Sequence, residues 1–187
     1  MMKGTFKSLA AAVAVLSLVW AASCSKEEYK NTLAKQETNI ESYVNSMLGR
    51  DTAYYLVRNK GVDRLVVNAG EGDSLKSDGT VSFYYAGYVM TGSSISGSNL
   101  FATNRKDLAE SESWNLSDTT ALDILTLKLD SSGLVDGLRY GLEGVRGGQE
   151  CYILFSGKYG FGKRPLGTIP ANASLAYHIW VESISNE

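Results

Sequence analysis

Two side chains could form a nucleophile and its base: the thiol of Cys151 and the imidazole of His178, the only histidine in the chain. Both lie in apolar runs that predict separate β-strands. A catalytic thiol would need the two groups to meet through packing, and nothing in the spacing indicates that they do. We therefore predict that Cys151 is a small buried hydrophobe. A single histidine excludes histidine-rich metal sites, and we predict no metal and no cofactor.

The N-terminus has the layout of an export signal. Lys3 and Lys7 provide basic charge before the apolar run 9–20, which is too short to span a bilayer as a mature helix. Three small residues then precede Cys24. This order resembles the lipobox of bacterial lipoproteins, which implies a signal peptide over residues 1–23 and a lipid on Cys24.

Cleavage near Ala22, as in an ordinary secreted protein, is the alternative to lipidation. Directly after the cysteine, residues 25–28 read Ser-Lys-Glu-Glu. This segment resembles the lipoprotein export signal of Bacteroidetes, which implies a lipid anchor in the outer membrane and display on its outer face. A solvated tether of mixed charge is the other interpretation of the same residues.

The charge balance limits the class of partner. Without Lys3 and Lys7, 16 of the 18 basic residues remain against 20 acidic ones, a net charge of −4. No basic stripe is present, so we predict no nucleic-acid partner. The remaining length is typical of one domain with an adequate core.

Residues 24–50 are predicted to form the lipidated tether and an amphipathic helix. Apolar residues from Glu27 to Leu48 recur at spacings of three, four or seven, and Gln36 and Glu37 interrupt the stripe. One interpretation is a dimerisation arm that makes a homodimer through the 27–48 helix. The other is a helix that packs on its own domain or spaces it from the membrane.

Residues 51–187 hold an unusual order of parts. A glycine-punctuated helix at about 135–145 precedes Gly-Gly-Gln, an apolar strand, an aromatic loop, Ile169-Pro170 and a second apolar strand. This order resembles the FKBP family of peptidyl-prolyl cis-trans isomerases, over roughly residues 62–185. The resemblance implies an α+β fold: a curved antiparallel β-sheet half-barrel wrapped around one short α-helix, here preceded by the amphipathic helix.

The resemblance also implies the residues of a prolyl-binding pocket. The motifs that carry it include Tyr-Tyr-Ala-Gly at 84–87, Leu-Phe-Ala at 100–102 and Lys-Tyr-Gly-Phe-Gly at 158–162. The implied catalytic residues are Tyr85, Phe101, Val135, Leu138, Phe161, Ile169 and Tyr177. Three departures from the family pattern remove groups that act on the substrate: Ala102 replaces an aspartate, Leu138 a tryptophan and Phe161 a tyrosine. Val135 stands in place of an isoleucine and Tyr177 in place of a phenylalanine.

Two functions follow from this pocket. The first is a weak or substrate-restricted isomerase acting on X-Pro bonds of exported proteins. The second is a catalytically silent FKBP-like module that binds a peptide or protein at the cell surface. The aromatic residues could equally be core. Alternation along the last two apolar strands predicts an inward face made by Tyr152, Leu154, Leu175, Tyr177 and Ile179.

Overall fold

The computed structural model describes residues 5–113 and 122–187, with side chains from Lys26 onward. The chain divides into two compact units, Met1–Lys35 and Gln36–Glu187. The second unit begins before residue 51, where the sequence analysis placed the start of the domain. No helix in the described part of the chain is long and apolar enough to cross a membrane. The side chain of Cys24 and residues 1–4 lie outside what is described, so the signal peptide and the lipid stay predictions.

Helix α1 (Thr5–Leu48) confirms the predicted N-terminal helix, although it starts well before Glu27. It ends just before Gly49, as the apolar periodicity predicts. Ile40, Val44 and Met47 are buried against the domain. Over residues 36–48 the helix therefore packs on its own domain, which is the second of the two interpretations of its apolar stripe.

Seven strands in the described part of the chain form one open antiparallel sheet, which confirms the predicted fold class. They are β1 (Tyr55–Asn59), β2 (Val62–Asn68), β3 (Thr80–Val89), β4 (Leu100–Thr103), β5 (Leu125–Lys128), β6 (Glu150–Phe155) and β7 (Leu175–Ser185). The order in the sheet is β1-β2-β6-β7-β3-β4, with β5 also paired to β3. The described residues of the second unit also form two short α-helices: α2 (Lys106–Ser111), which the sequence did not predict, and α3 (Asp136–Leu142).

Two glycines let α3 lie directly on strand β6. A Cβ on Gly137 would overlap the ring of Phe155, and one on Gly141 would overlap the side chain of Ile153. Both glycines are buried. Since any larger residue would push the helix away from the strand, the spacing of these glycines fixes the depth at which α3 sits on the sheet.

A buried arginine holds the C-terminal end of α3. Nη1 of Arg64, on β2, donates to the carbonyl oxygens of Gly141 and Glu143 at 2.8 and 2.7 Å, and Nη2 donates to that of Gly144 at 3.4 Å. The last carbonyls of a helix lack partners within the helix and carry partial negative charge. The guanidinium therefore satisfies these groups and ties the helix to the sheet.

Strand β6 is packed on both of its faces, and this corrects one prediction. Leu175, Tyr177 and Ile179 face α3 as expected, together with Cys151, Ile153 and Phe155. Tyr152 and Leu154 instead face α1. Alternation along β6 correctly separates its side chains into two sets, one on each face of the strand. Both sets are apolar, since α3 covers one face and α1 covers the other. Hydrophobicity alone therefore could not show which set faces α3.

Gly141→Ala tests the close approach of α3 to β6. Alanine favours a helix over glycine by about 1 kcal/mol, but the added methyl group would collide with Ile153. We expect the free energy of unfolding to fall by about 1–3 kcal/mol, as in other overpacked cores. Urea denaturation followed by circular dichroism would measure the change.

Gly147→Ala is the matched control, because a Cβ there meets only the carbonyl oxygen of Glu182, at 4.0 Å. It should be nearly neutral. Equal stability of the two variants would contradict a role for Gly141 in the packing of α3.

Candidate functional site

The sheet and α3 enclose an apolar cleft with a volume of about 490 Å³. It opens on the face of the sheet that carries α3. The structure brings all seven sequence-predicted pocket residues to this cleft, from strands β3, β4 and β7, from α3 and the residue before it, and from the segment between β6 and β7. They are Tyr85, Phe101, Val135, Leu138, Phe161, Ile169 and Tyr177.

Tyr177, on β7, is the centre of the aromatic wall. The ring of Phe101 meets it edge-on with centroids 5.6 Å apart, and the ring of Tyr85 is tilted at 6.3 Å. Phe155 stacks behind it at 6.0 Å. Such contacts between rings fix their orientations beyond what apolar burial alone would do. The wall is therefore one packed cluster of aromatic rings.

A glycine on β3 makes room for this wall. Gly87 pairs with Tyr177 across the sheet. A Cβ on Gly87 would lie 2.7 Å from the Phe101 ring and 3.0 Å from the Tyr177 ring. Only glycine leaves space at this position for both rings.

Helix α3 and the residue before it form the floor. Val135 immediately precedes the helix, and Leu138 lies in its first turn. Leu138 is only 7% exposed. The floor is therefore a smooth aliphatic surface whose depth follows from the packing of α3 on β6.

The segment between β6 and β7 forms the remaining wall. Ile169 is buried in it, while Phe161 is 37% and Leu166 is 55% exposed. Large apolar side chains left this open at the mouth of a cleft offer contact area for a ligand. The sequence analysis identified Phe161 and Ile169 but missed Leu166, which lies outside the family motifs it used.

The electrostatic character of the cleft is neutral. None of the described residues that line it carries a charge. Burial raises the pKa of Tyr85 and, more strongly, that of Tyr177. Both phenols therefore keep their protons near neutral pH and can donate hydrogen bonds. Ala102, also in the lining, contributes no polar group.

A buried amide that the sequence analysis missed supports Tyr85. Asn104 Oδ1 accepts from the Tyr85 N–H at 2.6 Å, and Nδ2 donates to the carbonyl oxygens of Phe83 and Asp123 at 3.2 and 3.1 Å. The hydroxyl of Thr103 donates to the Tyr85 carbonyl oxygen at 2.7 Å. These bonds hold the backbone of Tyr85. An asparagine just after an apolar run was the only signal in the sequence.

Cys151 and His178 lie on opposite faces of the sheet. The thiol is buried on the α3 side, and burial raises its pKa to about 12. The imidazole stacks between Tyr152 and Trp180, with ring centroids 4.0 and 3.7 Å away. The two groups cannot form a nucleophile and base. In the described part of the chain no cluster of three or more His, Cys, Asp or Glu side chains could hold a metal ion.

The fold and the cleft together define the class: an antiparallel sheet wrapped on a short helix, with an aromatic cleft between them. The family model described as FKBP-type peptidyl-prolyl cis-trans isomerase matches residues 72–182. The chain therefore belongs to this family, which confirms the resemblance that the motifs indicated. No curated protein sequence matches the chain.

Solved structures of the family share the fold. FkpA from Escherichia coli is 18% identical with a TM-score of 0.54, over 99% of this chain and 73% of its own. A peptidyl-prolyl cis-trans isomerase from Pseudomonas syringae pv. tomato is 16% identical with a TM-score of 0.52, over 81% and 96%. The N-terminal domain of FKBP42 from Arabidopsis thaliana is 14% identical with a TM-score of 0.53, over 71% and 93%. At these identities the likeness concerns the fold.

The environment of His178 predicts a pH dependence of stability. Burial lowers the pKa of this imidazole from 6.5 to about 4, against the opposing effect of Glu150, whose Oε1 lies 2.7 Å from Nε2; Arg105 lowers it further. Between about pH 4 and pH 6.5, His178 therefore binds a proton in the unfolded chain but not in the folded one. The contribution of His178 to the free energy of unfolding is therefore present above pH 6.5 and is lost as the pH falls towards 4.

Thermal unfolding of wild type and His178→Gln at pH 7, 6, 5 and 4 would measure this. We expect the melting temperature of the wild type to fall more steeply with acidification than that of the variant. Parallel curves would contradict a buried neutral imidazole.

Proposed function

We propose that this protein is an envelope lipoprotein whose FKBP-type domain isomerises X-Pro bonds of exported proteins, slowly or in a restricted set of substrates. The observation that carries the proposal is the meeting of the seven implied pocket residues around one uncharged, aromatic cleft. Proline-containing segments of exported proteins are the proposed clients.

The reaction needs no nucleophile. Partial double-bond character gives the peptide bond a rotational barrier of about 18–20 kcal/mol. Rotation breaks the amide resonance, so the twisted amide is less polar than the planar one. An apolar cleft that holds the prolyl ring against Tyr177 and Phe101 favours the twisted state over the planar one. Each 1.36 kcal/mol of that preference gives about tenfold in rate.

Three lining residues reduce what this cleft can contribute. Phe161 cannot donate the hydrogen bond that a tyrosine would give to the substrate carbonyl, a loss of about 0.5–1.5 kcal/mol. Leu138 offers less floor area than an indole, about 1–2 kcal/mol of apolar contact. Ala102 removes a carboxylate from the wall. These losses support a rate about 10- to 1000-fold below that of a member with all three groups.

Attachment to the outer membrane through a lipid on Cys24, with the domain displayed outside the cell, is the proposed location. It rests on the apolar run before Cys24 and on Ser-Lys-Glu-Glu after it. Two or more acyl chains would make the attachment stable. A homodimer through the 27–48 helix is the less favoured arrangement, because the buried stripe at Ile40, Val44 and Met47 is already covered by the sheet.

A catalytically silent module that binds a peptide or protein is the second candidate. One observation favours it: Ala102, Leu138 and Phe161 all line the same cleft, and each replaces a side chain that has a hydrogen-bonding group with one that has none. Such a cleft can still bind a prolyl segment through Phe161 and Leu166 at its mouth.

A protease-coupled isomerisation assay on the full chain separates the two candidates. With peptides that vary the residue before proline, we expect acceleration over the uncatalysed rate. We expect the triple variant Leu138→Trp, Ala102→Asp, Phe161→Tyr to be about 10- to 1000-fold faster, since it restores the three groups. A silent wild type beside an active triple variant would favour the binding module. Silence of both, with both folded by thermal unfolding, would reject isomerase activity.

Gly87→Ala is the control for a contaminating isomerase. Its methyl group would displace the rings of Phe101 and Tyr177 and so close the cleft. Activity that persists unchanged in this variant would not belong to the cleft.

A further inference from the structure

Gln36 lies on the packing face of α1, one helical turn before Ile40 and two turns before Val44. Residues four apart on a helix share a face. In the sequence this glutamine interrupts the apolar stripe, but in the structure it is half-buried and makes long-range contacts. The interruption is thus a polar group placed among buried neighbours.

Both ends of the Gln36 amide bond to main-chain groups distant in sequence. Its Nε2 donates to the carbonyl oxygen of Asn172 at 2.7 Å. Its Oε1 accepts from the N–H of Gly157 at 2.9 Å. A main-chain N–H can only donate and a main-chain carbonyl can only accept, so a primary amide in this one orientation matches both partners.

Gly157 and Asn172 form the neck of the segment that joins β6 to β7. Gly157 follows shortly after β6, and Asn172 shortly precedes β7. They are in direct contact, because a Cβ on Gly157 would overlap the Asn172 carbonyl group. Asn172 is left-handed, with φ 53°, and its N–H donates to the carbonyl oxygen of Gly162 at 2.7 Å.

Two other polar side-chain atoms at the neck do not hold it in place. Ser156 Oγ and Asn172 Oδ1 are buried there, and neither has a hydrogen-bond partner among the described residues. The Gln36 amide, in contrast, bonds to the main chain at both ends of the neck.

Between the two ends of the neck lies one wall of the cleft. Phe161, Leu166 and Ile169 all belong to this segment and line the cavity. A shift at the neck would therefore move the apolar groups that meet a ligand.

We propose that Gln36 is a positioning residue of the cleft. By bonding to both Gly157 and Asn172, it lets helix α1 set the geometry of the 157–172 segment, and this geometry sets the affinity of the cleft for a prolyl peptide. We call this pair of hydrogen bonds the clamp. The choice of a prolyl peptide as ligand rests on the proposed function, whereas the effect of the clamp on the segment does not. The two side-chain hydrogen bonds of Gln36 go to Asn172 and Gly157, neither of which lines the cleft, so it acts through the neck.

The test compares the full chain with Gln36→Ala and with Glu37→Ala, an exposed neighbour on the same helix with the same replacement. Amide hydrogen exchange without ligand reads the segment directly. We expect Gln36→Ala to exchange at residues 157–172 about tenfold faster, while amides of β6 and β7 keep their rates. Titration with the peptide Ala-Leu-Pro-Phe should show a dissociation constant raised about 3- to 10-fold. Glu37→Ala should match the wild type in both.

Gln36→Glu gives a signature that a merely structural role would not. Its carboxylate still accepts from the Gly157 N–H but faces the Asn172 carbonyl without a proton to donate. We expect weakened peptide binding at pH 7 and recovery towards the wild-type value, measured at the same pH, once the carboxyl is protonated near pH 4. Recovery supports the clamp.

Two results would overturn the proposal. One is a Gln36→Ala variant whose exchange at 157–172 and peptide affinity equal those of Glu37→Ala. The other is exchange that accelerates equally over the whole domain, which would mean lost global stability alone. If the wild type neither binds nor isomerises prolyl peptides, the proposed function fails, and the exchange rates at 157–172 still decide the role of Gln36.

Discussion

The close approach of α3 to β6 is the constraint on which the rest of the domain depends. Gly137 and Gly141 remove the side chains that would separate helix from strand, so Phe155 and Ile153 fill the space directly beneath. Arg64 then anchors the far end of the helix through its terminal carbonyl groups. With the helix fixed in depth and along its axis, the cleft acquires a floor of defined height, and the aromatic wall stands at a defined distance from it.

The cleft is an open edge of the main hydrophobic core, and several of its lining residues are also core residues. Tyr177 belongs both to the main core and to the cavity lining, and its contacts with Phe101 and Phe155 are core contacts. This dual membership explains why core and pocket interpretations of the aromatic residues were equally acceptable from the sequence. Among the described large apolar residues that line the cleft, only Phe161 and Leu166 are exposed, so they offer the most apolar area at its mouth.

Burial of the second face of the sheet links the N-terminal helix to this architecture. Ile40 and Val44 cover Leu65 and Leu154, so the helix is part of the folded domain over residues 36–48. A polar residue on that face, Gln36, can bond to the β6–β7 segment only because the neighbouring apolar residues hold the helix in place. Helix α1 thus both packs on the sheet and bonds to the segment that carries one wall of the cleft.

The sequence by itself determined the family, the fold class, the end of α1 and seven of the residues that line the cleft, but neither helix α2 nor Leu166. It could do so because glycine spacing, apolar periodicity and local motifs are short-range properties. Tertiary structure alone decided which β6 face meets α3, that Asn104 bonds to the backbone of Tyr85, and that Gln36 bonds to a segment more than a hundred residues away. Each of these depends on contacts between segments that are distant in the sequence. A polar residue that makes such a contact, such as Gln36, appears in the sequence only as an interruption of an apolar pattern.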